Sequence, residues 1–365
     1  MNAFFSSGLP NADFWTAYRQ LWQNSLNRSP FQAPDYTHYL AQKFKAELLV
    51  FQCLKEEQLI GAAFFRKSKG NFIFLSEIKA DHNCFVIDNR CSTTELYVFF
   101  QHFVAGIKKK RWPFILTNHA NWISYVPILD EVGRQSQLFW DNNAYSVCPT
   151  LKETSGEILF KRFNGSKELR YRVSRLKNQQ EAVFEWFQQD EDLSAWVSAF
   201  CQLHIKRWEG TPTPSRYESE EQRQFLLECL KAWIDDELLV RFSVKVADGT
   251  RIGFVICLLH EATLIHHTTA YDDNYRKYSP GKALLHFIGE WMAERDLKNL
   301  DFGQGNEKYK YEFANTEPQL NRIYVSSPLH LSFIVKAKVA QSIRNNEPLR
   351  KFYREKIKPR MPISK

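Results

Sequence analysis

An internal repeat constrains the fold of this chain more than any other feature of its sequence. Each half predicts three consecutive strands, which are 48–54, 59–65 and 72–75 in the first half and 238–246, 252–259 and 264–270 in the second. Gly61 and Gly253 stand at the same place in the second strand of each set, and the same step of eleven residues leads from each to the third strand. The chain therefore reads as a duplicated unit, with chance similarity of two hairpins as the alternative.

Each set of strands is followed by an amphipathic helix and one more strand. The predicted helices are 94–110 and 280–295, and the strands that follow them are 114–117 and 300–303. Two further helices, around 193–203 and 225–234, precede the second set. This order predicts the α+β class, with two tandem domains of mixed, mostly antiparallel sheets flanked by helices. We place the domains at 1–160 and 161–327, followed by a basic helical tail at 328–365.

The composition predicts a globular protein of a reducing compartment. The chain has 365 residues, of which 44% are hydrophobic and 25% charged, and its seven cysteines form no CxxC pair, so neither a zinc site nor a disulfide framework is predicted. Residues 1–13 do not resemble a signal peptide, and the longest apolar run, 252–259, is under half of the roughly 20 residues that a membrane span needs. We expect a cytoplasmic protein, with peripheral contact to the inner membrane as an option.

The net charge of +8 is concentrated at the end of the sequence. Residues 330–365 contain ten Lys or Arg and two Glu, so the rest of the chain is neutral. A helix there could pack on the body, touch an anionic membrane or simply present a solvated face, and the last is the plainest interpretation. The basic run 108–111 closes a helix, so no nucleic-acid partner is expected from it.

The loop before the second long helix predicts an anion site. Ser279 can cap the helix, Pro280 suits its first position and Gly281 leaves room for a ligand, while cations stand on both sides of these residues. A helix start of this kind favours a pyrophosphate group. The corresponding loop of the first half, 76–93, has no glycine and few cations. An ordinary capped helix with solvated basic side chains is the alternative.

The second motif runs from Asp301 to Phe313 and begins Asp-Phe-Gly-Gln-Gly. Asp-Phe-Gly would suggest a kinase, but the chain has no His-Arg-Asp loop and no glycine-rich nucleotide lid. Together with 278–285, this motif resembles the CelD-type acetyltransferases of cellulose and exopolysaccharide gene clusters, which belong to the GNAT superfamily. The resemblance covers 167–315 well and 29–119 more faintly. That family is similar in turn to the Fem aminoacyltransferases, which carry two tandem GNAT folds, in agreement with the repeat.

The resemblance implies a role for each motif residue. The loop would hold the pyrophosphate of acetyl-CoA, the acyl donor, with Ser279 in place of the family's first glycine; its residues are Arg276, Lys277, Tyr278, Ser279, Pro280, Gly281 and Lys282. Lys310 would stabilise charge on the reacting carbonyl. Tyr309 or Tyr311 could protonate the departing thiolate. The candidates for the base are Asp301, Glu307 and His266; His267, next along the strand, would face the other way.

The implied reaction is direct transfer of an acetyl group to an amine or hydroxyl of a sugar or glycan precursor bound between the domains. It needs no metal and no covalent enzyme intermediate. Two alternatives remain open at this point. One is a Fem-like aminoacyltransferase, for which aminoacyl-tRNA would be the donor, and the other is a degenerate protein that only binds acyl-CoA or anchors a complex.

Overall fold

The computed structural model describes residues 1–77, 80–211 and 214–352. Its α-helices are α1 (Ala12–Gln23), α2 (Pro34–Lys43), α3 (Thr93–Lys110), α4 (Val126–Gln135), α5 (Gly156–Gly165), α6 (Lys167–Gln180), α7 (Leu193–Trp208), α8 (Glu220–Asp235), α9 (Pro280–Ala293), α10 (Leu331–Asn345) and α11 (Glu347–Phe352). Its strands are β1 (Asn2–Ser7), β2 (Leu48–Lys55), β3 (Gln58–Ser68), β4 (Asn71–Phe74), β5 (Val86–Ile87), β6 (Phe114–Ala120), β7 (Phe139–Val147), β8 (Thr150–Lys152), β9 (Val183–Phe187), β10 (Leu239–Lys245), β11 (Arg251–His260), β12 (Thr263–Tyr271), β13 (Asn299–Asp301) and β14 (Gln319–Ser326). Short 3-10 helices cover Pro30–Gln32, Asp273–Tyr278 and Lys308–Glu312.

The strands form two mixed sheets, and the predicted duplication is confirmed. The first sheet has the order β1-β2-β3-β4-β6-β14-β7, with β5 beside β3, and the second has the order β8-β13-β12-β11-β10-β9. In each, three antiparallel strands lead into a long helix and then into a strand parallel to the third. Two helices precede the antiparallel strands in both halves, so the whole unit is repeated.

The two glycines that marked the repeat have the same packing role. A Cβ atom at Gly61 would lie 2.4 Å from the Phe99 ring, which belongs to α3. A Cβ atom at Gly253 would lie 3.1 Å from Leu284 and 3.2 Å from Pro280, both in α9. Each glycine therefore lets the long helix of its own unit approach the central strand of the sheet.

The two units exchange strands, which the sequence does not reveal. β14 inserts between β6 and β7 of the first sheet, and β8 pairs with β13 at the edge of the second. The predicted limits of 1–160 and 161–327 place both strands with the opposite sheet, and residue 160 falls inside α5, which packs on α9. Strand periodicity indicates which segments form strands, but not which distant strand each one pairs with. This arrangement is therefore visible only in the fold.

The units share one hydrophobic core. It joins residues of α1, α2 and β3 with residues of α7, α8 and β11, and at its centre the Tyr36 and Trp233 rings stack 4.5 Å apart. The contact is also polar, because the Asp236 carboxylate accepts the backbone N–H groups of Asp35 and Tyr36 at 3.0 Å and so caps α2 from the other unit.

The basic tail is helical as far as the described residues extend. In α10, Phe333 and Ala337 pack on Tyr324 of β14. The predicted tail continues beyond residue 352, and its basic residues Arg354, Lys356, Lys358, Arg360 and Lys365 lie outside the described residues. Within the described ranges, no helix combines the length and the apolar character that crossing a bilayer requires.

Candidate functional site

The candidate site lies where two parallel strands of the second sheet separate. β12 and β13 pair over only three positions, the last of which joins Ile265 to Asp301. β12 continues to Tyr271, and no strand among the described residues covers that side of it beyond Ile265. The strand thus offers free backbone groups to an extended ligand, as an open sheet edge does.

A cavity of about 260 Å³ adjoins this open edge, and we call it the donor cavity. Its walls come from α7, β12, the start of α9 and the 3-10 helix at Lys308–Glu312; the lining residues are Arg207, His266, Thr269, Tyr271, Arg276, Ser279, Pro280, Gly281, Lys282, Leu285 and Tyr309. Seven of the predicted residues therefore meet in one place. Of the predicted donor loop, Lys277 and Tyr278 do not line the cavity.

Ser279 does not cap α9, contrary to the sequence prediction. Its backbone is left-handed, with φ of 51°, and no side chain among the described residues caps this helix. The Ser279 hydroxyl instead accepts a hydrogen bond of 2.6 Å from Arg172. The first N–H groups of α9 are thus left for an external acceptor, which strengthens the case for an anion site.

Three arginines near the loop were not among the predicted site residues. Arg172 and Arg175 reach it from α6, where Arg175 donates to the Lys277 carbonyl oxygen at 3.4 Å. Arg207 of α7 lies 4.1 Å from the centre of the Tyr271 ring. Their basic character is visible in the sequence, but their proximity to the loop depends on how α6 and α7 pack. The helix start thus has more cations near it than the loop alone supplies, of which Arg172 pairs with Glu168 at 2.8 Å and Lys282 with Glu312 at 2.8 Å.

Two side chains in the donor cavity are neutral at physiological pH. Burial lowers the pKa of His266 to about 4, so its imidazole carries no charge. Burial also raises the pKa of the Tyr309 hydroxyl, so this phenol keeps its proton. The phenol therefore has a proton that it could give to a departing thiolate, although the raised pKa makes it a weaker acid than an exposed tyrosine. Tyr311 points elsewhere, and its hydroxyl bonds Glu317.

Lys310 is buried in the loop that follows β13. Its side chain is 4% exposed, and its ammonium donates to the carbonyl oxygens of Gly303 at 2.9 Å and Gln304 at 3.0 Å. The Glu307 carboxylate lies 2.9 Å from the same nitrogen and is mostly exposed. These contacts favour a positioning role for Lys310, and its predicted charge-stabilising role stays a prediction.

Asp301 faces a different cavity from His266. This second cavity, of about 310 Å³, lies between the two units, and we call it the interdomain cavity; its lining residues are Asn27, His82, Trp122, Thr150, Lys152, His260, Thr263, Ile265, Asn299, Asp301, Thr316 and Pro318. Asp301 is 7% exposed and accepts the Gly303 N–H at 2.8 Å. Burial, assisted by the nearby Asp81 charge, raises the pKa of Asp301 to about 7. A carboxyl group with this pKa can exchange protons at neutral pH.

The lining of the interdomain cavity suits a polar ligand, and its charged side chains are Lys152 and Asp301. Burial lowers the pKa of His82 and of His260 to about 4, so neither adds positive charge. Trp122 is 43% exposed and offers an aromatic face, while amide and hydroxyl groups of Asn27, Asn299 and the threonines supply hydrogen bonds. Asp301 pairs with Ile265, the residue just before His266 on β12, so neighbouring residues at the separation of β12 and β13 line the two cavities.

A buried polar cluster fixes the first unit against this region. His267 lies between two carboxylates, with Asp81 at 2.8 Å from Nδ1 and Glu77 at 2.8 Å from Nε2. The other oxygen of Asp81 accepts the Gln304 N–H at 2.8 Å, directly after Gly303. Gly303 has φ of +70°, and a Cβ atom there would lie 2.7 Å from Asp81. The cluster therefore needs glycine at 303 and links the two units at the candidate site.

The His267 cluster predicts pH-dependent stability. Although burial works against it, the Asp81 and Glu77 carboxylates raise the pKa of His267 to about 9. Its charged form thus stabilises the fold fully below its unfolded pKa of about 6.5, and this contribution of on the order of 3 kcal/mol is lost as the pH rises to 9. In urea unfolding, His267→Gln should be less stable than wild type at pH 6.5 and nearly equal at pH 9. His102 is exposed, so His102→Gln should show the same dependence of the free energy of unfolding on pH as wild type. If His267→Gln shows that same dependence, displaced by a constant amount, the charged His267 does not stabilise the fold in this way.

Comparison with known proteins agrees with this geometry. Residues 164–311 match the model of the family described as acetyltransferase (GNAT) domain. The matched stretch includes α6 through β13 and all the residues that line the donor cavity. The match nearly coincides with the stretch 167–315 in which the sequence resemblance was strongest. No curated protein matches the sequence.

The whole chain is similar in fold to several solved structures. L-PGS from Bacillus licheniformis superimposes with a TM-score of 0.58 and 10% identity, covering 91% of this chain and 98% of that chain. FemX superimposes with a TM-score of 0.58 and 9% identity, covering 91% of this chain and 99% of that chain. A tandem GNAT protein from the clavulanic acid biosynthesis pathway superimposes with a TM-score of 0.51 and 10% identity, covering 90% of this chain and 99% of that chain. At these identities the likeness shows a shared tandem GNAT-like fold.

Proposed function

We propose that this protein is an acyltransferase that moves an acetyl group from acetyl-CoA to an amine or hydroxyl of a sugar or glycan precursor. The observation that carries the proposal is the donor cavity, in which the uncapped start of α9 and the open edge of β12 converge. The helix start and its surrounding cations would hold the pyrophosphate. The amides of the pantetheine arm would pair with β12. The cavity is small, so the rest of the donor would extend over the surface.

The acceptor would enter through the interdomain cavity. Its exposed Trp122 ring can cover the apolar face of a sugar, and its amides, hydroxyls and Asp301 can bond the polar groups. This placement puts the acceptor and the thioester on either side of the point at which β12 and β13 separate. The nucleophile could therefore reach the carbonyl carbon directly.

The chemistry would then need three groups of this chain. Asp301, with a pKa of about 7, would accept the proton of the attacking amine or hydroxyl as the new bond to the carbonyl carbon forms. The carbon–sulfur bond would break, and Tyr309 would give its proton to the thiolate. Lys310 would hold the Gly303–Gly305 turn in place. His266 remains the second candidate for the base because it lines the donor cavity.

Arg172 tests the donor site without touching the reacting groups. Arg172→Gln removes one cation and frees Ser279, so we expect KM for acetyl-CoA to rise about tenfold or more, as for loss of a charged hydrogen bond, with little change in kcat. Release of free CoA in the presence of amino sugars and neutral sugars measures both constants. The matched control is Arg170→Gln. Arg170 is exposed on the same helix, and its side chain contacts the Asn164 carbonyl oxygen.

The same assay separates the other functions. Transfer from aminoacyl-tRNA but not from acetyl-CoA would indicate a Fem-like reaction and contradict the proposal. Saturable binding of acetyl-CoA, with no transfer to any acceptor, would indicate a protein that only binds the donor. If Arg172→Gln and Arg170→Gln have the same KM for acetyl-CoA, the proposed role of the 276–282 loop in binding the donor is wrong.

A further inference from the structure

A third cavity, of about 1170 Å³, lies between α10, the β7–β14 pair and the loop that carries Asn306 and Tyr311. Inside it, the guanidinium carbons of Arg322 and Arg344 lie 3.6 Å and 4.2 Å from the centre of the Tyr145 ring. Two such groups cannot share one face of a ring at these distances. Tyr145 is therefore sandwiched between them, and the two positive charges are held close together.

Neither guanidinium forms an ion pair with a described carboxylate. Among the described residues, the buried Arg322 Nε has no hydrogen-bond partner either. Burial and the neighbouring Arg322 charge lower the pKa of Arg344. Lys336 adds a third cation to the lining, against one carboxylate, that of Glu317, which accepts a hydrogen bond from the Tyr311 hydroxyl. Unpaired guanidinium groups held in a fixed geometry favour phosphate oxygens.

The helix that forms one wall of the cavity has a second apolar face. Phe333 and Ala337 pack on the body, but a separate stripe at spacing of four residues does not; it consists of Leu331, Val335, Val339 and Ile343. The first three of these side chains are 69%, 60% and 51% exposed. Val335, Val339 and Ile343 also line the cavity. Apolar and cationic groups thus share one open surface.

We propose that the Arg322–Tyr145–Arg344 sandwich and the outer stripe of α10 form a docking site for a membrane surface that carries anionic phospholipid. The guanidinium groups would take lipid phosphates, and the stripe would enter the boundary between headgroups and acyl chains. Charge complementarity favours this occupant over a neutral apolar partner, because the cations line the same cavity as the stripe. Asn306 and Tyr311 of the 303–312 loop line this site, whereas Tyr309 lines the donor cavity, and the docking proposal does not depend on the proposed reaction.

Sedimentation of the full chain with vesicles tests the site. Wild type should bind vesicles of phosphatidylglycerol and phosphatidylcholine and leave pure phosphatidylcholine vesicles unbound. Arg322→Gln/Arg344→Gln should bind the anionic vesicles about thirtyfold more weakly, because each basic residue at such a surface contributes roughly a factor of five. Arg134→Gln/Lys161→Gln, an equal charge change at exposed positions elsewhere, should bind as wild type does.

A second variant protects the test against misfolding. Val335→Asn/Val339→Asn changes two exposed side chains, should keep the melting temperature and should also bind anionic vesicles more weakly. If the arginine double variant and the valine double variant both bind anionic vesicles as tightly as wild type does, the proposal is overturned. Any membrane affinity would then belong to residues outside this cavity. If inorganic pyrophosphate raises the melting temperature through Arg322 and Arg344 but wild type does not bind vesicles, a soluble phosphate compound is the ligand and the membrane proposal is wrong.

Discussion

Replacing Asp301 by asparagine is expected to lower kcat by about a hundredfold to ten-thousandfold, the range that loss of a general base produces. The amide oxygen can still accept the Gly303 N–H, so the turn after β13 should be preserved. Because the pKa of Asp301 is raised to about 7, its ionisation costs stability as the pH rises from 4 to 7, and the neutral amide avoids this cost. Asp301→Asn should therefore be at least as stable as wild type at pH 8.

The pH profile separates this role from a structural one. Wild-type kcat/KM should rise with pH and level off above about 7, since the carboxyl group must be ionised to accept a proton. The residual activity of Asp301→Asn should lack this rise. Asp296→Asn is the matched control, because Asp296 also accepts a backbone N–H, from Gly156, but lines neither cavity. An Asp301→Asn variant with normal turnover and an unchanged profile would transfer the role to His266 or to another group.

Replacing Gly281 by leucine is expected to abolish acetyl-CoA binding while the protein stays folded. A Cβ atom at Gly281 would lie 3.6 Å from the Tyr271 ring, which is an ordinary contact, so a side chain can be accommodated. Leucine would then occupy the space beside the first N–H groups of α9, where the pyrophosphate is proposed to bind. Calorimetric titration should show a loss in affinity of about a hundredfold or more, comparable to the loss of several charged hydrogen bonds.

The control for this substitution is Gly165→Leu. Gly165 ends α5, and a Cβ atom there would meet no atom within 4 Å, so the same residue is added in open space. Gly165→Leu should bind acetyl-CoA as wild type does. Equal binding by wild type and Gly281→Leu would show that the donor does not approach the start of α9.

Local features of the fold were predictable from the sequence. The strands and helices of both repeats follow hydrophobic periodicity, and the glycines at 61 and 253 mark equivalent packing positions because close approach of a helix excludes a side chain there. The loop at 276–282 was predicted to be an anion site from residue types that favour phosphate at a helix start, and this stays a prediction. These inferences depend on neighbours in the chain, which the sequence displays directly.

Features that depend on distant contacts were not predictable. The exchange of β8 and β14 between the sheets follows from pairings across more than a hundred residues. The approach of Arg172 to Ser279 depends on how α6 packs, and the left-handed backbone of Ser279 removes the cap that serine usually provides. Asp301 and His266 were grouped as possible bases, yet they face different cavities, because Asp301 is in register with Ile265 and the next residue on β12, His266, points to the other face of the sheet.

A crystal structure of the protein with acetyl-CoA would test the account most directly. It should show the pyrophosphate at the first N–H groups of α9, near Arg172 and Arg276, and the pantetheine arm along β12 between His266 and Tyr271. The thioester should lie at the separation of β12 and β13, beside Tyr309. Acetyl-CoA bound in the interdomain cavity or in the cavity beside α10, with the start of α9 empty, would contradict the proposed donor site.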